Sequence, residues 1–182
     1  MKIVYNVLFC ILSLILIVYV SLPVPSYPGI PSNSLQSEER GDTEDFKNRR
    51  AYFTDHSREE VLRFHTNELN KITLNGMVIP LLTYRLNYPP EDAMIYIKEL
   101  TRSWYLEEIV HPFRESFFVN GFVPQAAKDA IIIDGREFQQ KVSIRYYRSP
   151  LIARFGLIFA SLILIYVLAR EWYKTIFVRN YD

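Results

Sequence analysis

Cysteine is almost absent from this chain and glycine is sparse. The single cysteine, Cys10, lies inside an apolar run. One thiol can neither close an intrachain disulfide nor build a cysteine-based metal site. The six glycines never gather into a loop that could cradle a phosphate, and no Gly-x-Ser-x-Gly elbow occurs. His56, His65 and His111 are spread along the chain without ligand spacing, and His-Glu-x-x-His is missing. No cofactor is therefore expected. There is also no excess of one charge. Between Asp45 and Arg148 fifteen Lys and Arg face fourteen Asp and Glu, so no basic stripe exists to neutralise a nucleic-acid backbone. No Asn-x-Ser/Thr sequon is present.

What the chain does have is two long apolar runs, one near each end. Leu151 to Ala169, LIARFGLIFASLILIYVLA, is nineteen residues with one charge, Arg154. As a helix it covers roughly 28 Å, the hydrocarbon thickness of a bilayer. Ile3 to Leu22 is of similar length, longer than the core of a cleaved signal peptide, and it lacks an A-x-A cleavage site. We read both as transmembrane helices, 3–22 being an uncleaved signal anchor. Lys2 precedes the first span, and no charge follows it until Glu38. That asymmetry keeps the N-terminus cytoplasmic and sends the next segment across. The second span stops transfer, leaving 170–182 as a short cytoplasmic tail with Arg170, Lys174 and Arg179. The expected location is the plasma membrane, both termini cytoplasmic and the central domain extracytoplasmic.

Between the spans, residues 23–49 are first rich in Pro and Ser and then acidic, the composition of a semi-rigid tether. Residues 50–149 are expected to form one α+β domain with a mainly antiparallel sheet and two helices. Ser57-Arg-Glu-Glu60 has the spacing of a capping box. The helix it opens carries Val61, Leu62, His65, Leu69 and Ile72 on one face and is expected to end near Asn75-Gly76. Val78 to Tyr88 alternates as a strand, with Pro80 pointing to an edge. Pro89-Pro90-Glu91-Asp92 starts a second helix lined by Ala93, Ile97, Leu100 and Trp104, ending near Ser103 or continuing to Pro112. Beyond it, Asn120-Gly121 and Asp134-Gly135 signal hairpins. The stretch 138–146 alternates as an amphipathic strand running almost directly into the second span.

The densest polar cluster is Glu107, Glu108, His111, Arg114 and Glu115, within LEEIVHPFRESF. On a helix Glu107 and His111 would share a face, four residues apart, as a carboxylate–imidazole acid and base pair. The blander account is a set of ion pairs around a turn. In the second span Gly156-x-x-x-Ala160, with Ala153 nearby, has the small-residue spacing that lets helices approach closely. These features suggest a non-enzymatic accessory, assembly or scaffolding subunit of a membrane protein complex, whose partners are membrane lipids and other membrane subunits. The alternative is a membrane-anchored enzyme acting on lipid-linked or envelope substrates through Glu107, Glu108, His111 and Glu115.

Overall fold

A computed structural model of the chain describes residues 2–43, 48–89 and 104–175. Within them the protein is α+β, with a mainly antiparallel sheet. It divides into two units, Met1–Leu22 with Ser149–Asp182, and Pro23–Arg148.

The first unit holds α1 (Lys2–Ser21) and α4 (Leu151–Tyr173), each long and apolar enough to cross a membrane. They pack together, the Phe9 and Tyr166 rings meeting at 5.6 Å. The shielded residues recur three to four apart, as one helix face requires: Phe9, Ser13 and Leu16 on α1, and Phe155, Ile158 and Leu162 on α4. Arg154 folds back one turn, its Nε donating to the Ser149 carbonyl at 2.9 Å, the direction in which helical side chains lean.

The second unit is built on six antiparallel strands in the order β1-β2-β10-β7-β6-β5. These are β1 (Leu35–Gln36), β2 (Arg49–Thr54), β5 (Tyr84–Tyr88), β6 (Tyr105–His111), β7 (Glu115–Phe122) and β10 (Gln140–Arg148). Helix α3 (Arg58–Leu69) starts at the expected capping box, with Ser57 and Glu60 satisfying each other's backbone amides. It buries Val61, Leu62, His65 and Leu69 against Tyr52, Tyr105, Ile109, Phe117, Val119 and Ile144 of the sheet.

Four local expectations are corrected. Helix α3 ends at Leu69, and Ile72 lies in β3 (Lys71–Leu74), which pairs with β4 (Met77–Pro80) around Asn75-Gly76. The φ values there, 50° and 82°, are what a tight hairpin needs and what stops a helix. The strand expected over 78–88 is two strands, β4 and β5, in separate sheets. Asn120-Gly121 is no turn but the interior of β7, with Gly121 under the Tyr105 ring. The helix after Pro90 cannot reach Pro112, because β6 occupies 105–111; the rest of that predicted helix, 90–103, lies outside the described residues. The Asp134-Gly135 hairpin forms as expected between β8 (Ile131–Ile133) and β9 (Arg136–Phe138).

The stretch predicted as a tether is part of the folded unit from Pro23 onward. It runs as a strap along the sheet. Arg114 donates to the Pro23 carbonyl at 2.8 Å and Tyr146 to that of Pro25 at 3.1 Å. The Tyr27 ring packs edge-on against Phe117 and Tyr146, and its hydroxyl reaches the Ile144 carbonyl. Further on, Ser34 bonds Thr54, and β1 pairs with β2. Residues 23–31 form neither helix nor strand, so their carbonyls are not taken up in a ladder of their own and can be used by the sheet. A short helix, α2 (Arg40–Thr43), closes the strap: Lys141 binds Glu39 and Asp42, and Ser37 donates to Asp42 at 2.6 Å. Burial opposes ionisation of Asp42, but the Lys141 ammonium and Ser37 hydroxyl together hold its carboxyl below the ordinary range.

Candidate functional site

The five residues of the predicted polar cluster lie on β6, β7 and the turn between them. In a strand, side chains alternate, so Glu107, Ile109 and His111 face α3 and the strap while Glu108 faces the other side. Glu107 and His111 share a face, as a helix would also have made them do, but four residues of strand separate them by about 13 Å. They are therefore not an acid and base pair. Glu107, 1 % exposed, is held by Arg58 at the start of α3 and by Arg85 at 3.4 Å. Glu108 accepts from the Tyr88 hydroxyl at 2.6 Å.

His111, Arg114 and Glu115 come together at the end of the hairpin, all three buried. His111 and Glu115 are the last ladder pair between β6 and β7. Glu115 Oε1 is 2.5 Å from His111 Nδ1 and 3.3 Å from an Arg114 guanidinium nitrogen. Since a carboxylate can only accept, this contact puts the imidazole proton on Nδ1. An imidazole oriented by a carboxylate is a component of general-base catalysis. Here, however, His111 Nε2 is buried and has no hydrogen-bond partner among the described residues, and the side chains of the pair are sealed from solvent. Chemically the arrangement is a compensated charge cluster, which needs all its members to be tolerable in a dry interior.

The turn above this cluster was not anticipated as special. The Arg114 amide donates to the His111 carbonyl at 3.0 Å, closing a four-residue turn over Pro112 and Phe113. Pro at the second position and a left-handed residue at the third are the signature of a type II turn. That third position favours Gly or Asn. It is occupied here by Phe113, at φ 63° and half exposed, which for a bulky side chain is an outlier. Pro112 was the available signal; nothing local indicated that an aromatic residue would follow it in that conformation.

Burial shifts several other ionisable groups. His65 lies in the core with its Nε2 2.7 Å from the Tyr52 hydroxyl, and burial pushes its pKa down to about 3. Burial likewise raises Tyr27 to about 12, against the pull of Arg50, whose guanidinium sits over its ring. Tyr52 and Tyr105 are raised for the same reason. Among the described residues no group of three or more His, Cys, Asp or Glu side chains is placed to hold a metal ion.

On α4, Ala153, Gly156 and Ala160 are all exposed and lie outside the shielded stripe. A side-chain carbon added at Gly156 would meet nothing within 4 Å.

Comparisons with protein-family models, with curated proteins and with solved structures found no match to this chain.

Proposed function

We propose that this protein is a non-enzymatic membrane subunit, spanning the bilayer twice and holding a small sheet domain against its extracytoplasmic surface, where it assists or scaffolds a larger membrane complex. One observation supports this above the others. Both ends of the folded unit lie at the same end of its sheet: Arg148 is the ladder partner of Glu115, and Pro23 is bonded to Arg114. Leu22 alone separates Pro23 from α1, and only Ser149 and Pro150 separate Arg148 from α4. A domain whose two ends both pass at once into membrane-length helices has little freedom to leave the surface. With Lys2 ahead of the first helix and Arg170 and Lys174 after the second, both termini lie on the cytoplasmic side.

The enzyme alternative would need a substrate to reach His111, whose ring and carboxylate partner are sealed from solvent. The exposed small-residue face of α4 suits a second protein better. Two measurements test the proposal. Tags at both termini are expected to be protected in sealed cells while Lys128 in the central domain is reachable by an impermeant amine reagent. The native mass in a mild detergent is expected to exceed that of one chain; a strictly monomeric protein would sink the subunit reading.

A further inference from the structure

We infer that the tip of the β6–β7 hairpin, Pro112-Phe113, inserts into the headgroup region of the membrane, with Phe113 as its apolar anchor. This rests on the proposal that α1 and α4 span the bilayer. Phe113 occupies a position that its own turn would fill better with Gly or Asn, at φ 63°. It belongs to neither core cluster and is 53 % exposed. Backbone outliers of this kind persist where the surroundings over-determine them, and they concentrate at functional positions.

The surroundings do over-determine this one. His111, Glu115 and Arg114 lock both legs of the turn from within, and Arg114 fastens it to the Pro23 carbonyl. The tip is thus a rigid projection at the sheet end from which the chain leaves toward both helices. Leu22 joins that end of the sheet to α1, and Ser149 and Pro150 join it to α4, about 7 and 10 Å of chain at about 3.5 Å per residue. Its neighbours fit a lipid interface. Tyr147 and Arg148 are both exposed on the adjoining end of β10, and Tyr84, exposed at the start of β5, lies in the same cross-strand row as Tyr147. Aromatic rings with a polar handle, beside a cationic side chain, are what occupy the headgroup level of membranes.

The test uses the full chain in nanodiscs of phosphatidylcholine and phosphatidylglycerol. 4-Fluorophenylalanine, nearly the size of phenylalanine, is placed in separate samples at Phe113, at Phe159 of α4, and in place of Ile132, which is exposed on β8. Fluorine line broadening is read with a headgroup spin-labelled lipid, a tail spin-labelled lipid and a water-soluble paramagnet. The position-113 signal is expected to broaden several-fold more with the headgroup label than with the aqueous agent, and the position-132 signal in the opposite sense. If position 113 behaves like position 132 while position 159 responds to the tail label, the inference is overturned and the spanning helices stand. If position 159 also ignores the tail label, the spanning reading fails and the inference falls with it.

Discussion

Replacing Gly121 by Ala is expected to unfold much of the central domain's stability margin, although Gly121 lies in the interior of a strand and its φ is not left-handed. A methyl group added there would sit 2.0 Å from Tyr105 Cε1, 2.1 Å from Cζ and 2.6 Å from the hydroxyl oxygen. Carbon atoms in contact stay about 3.5–4.0 Å apart, so the ring must retreat by roughly 1.5 Å. It has no room to do so. Tyr105 is 2 % exposed, its hydroxyl donates to Gln140 Oε1 at 2.9 Å, and Arg58 lies over the ring. Overpacking costs about 1–3 kcal/mol, and a displaced hydroxyl orphaned with its buried partner adds about 1–3 kcal/mol. A loss of about 2–6 kcal/mol is expected, against about 5–15 kcal/mol for a whole domain. Denaturant titration in detergent, followed by Trp104 fluorescence in a Trp172→Phe background, reads this directly, because the Trp104 amide bonds to the Gly121 carbonyl at 2.7 Å. Tyr105→Ala should cost about 3–5 kcal/mol alone. Adding Gly121→Ala to it should cost almost nothing more, since the methyl then enters vacated space. If Gly121→Ala falls within about 0.5 kcal/mol of wild type, the range of an inconsequential substitution, or if the two costs simply add, the packing argument is wrong.

Three further outcomes follow from the same contacts. Arg114→Met should destabilise the domain by about 3–5 kcal/mol by stranding the buried Glu115 charge, and should open the strap near Tyr27 to protease; an unchanged digestion pattern would refute the pinning role. Phe113→Asn should raise the unfolding free energy in detergent by about 1 kcal/mol, by relieving left-handed strain; a lower value would show that Phe113 is needed for folding itself. His65, with its pKa lowered to about 3 by burial, stays neutral in the fold while the unfolded chain takes up a proton below about pH 6.5. Stability should therefore fall as pH drops from about 6.5 toward 3, at up to about 1.4 kcal/mol per pH unit, and His65→Gln, which can still accept from Tyr52, should flatten that slope.

Features fixed by neighbours in sequence were legible, and features fixed by distant partners were not. The capping box of α3 involves only Ser57 and Glu60, and it forms as read. The same is true of Asp134-Gly135, where the left-handed pair makes the turn unaided. Asn120-Gly121 has the same composition as a turn, but its glycine answers to a tyrosine sixteen positions away. The period of Glu107 to His111 was left open, because a short mixed run suits helix and strand alike. On β6 the helical pairing of Glu107 with His111 does not arise, and the ion pairs form around the turn, between His111, Arg114 and Glu115. The seating of the strap was the least legible feature. Its composition is that of a tether, and the groups that seat it, Arg114, Ile144 and Tyr146, come about a hundred residues later.

The position of β10 imposes an order of events on biosynthesis. This strand lies in the middle of the sheet, between β2 and β7, yet it is the last to be made, immediately ahead of α4. Until it emerges, β1 and β2 on one side and β5, β6 and β7 on the other are two fragments with open edges, the condition in which strands pair wrongly. The middle of the strap lacks its seat, since Ile144 and Tyr146, which anchor it, belong to β10. Only when the final apolar helix is being synthesised can the sheet close and the entry segment seat itself. Completion of the fold and arrival of the second membrane-length helix are thereby one step, so a chain stalled before residue 140 would present two incomplete half-sheets in place of a smaller folded domain.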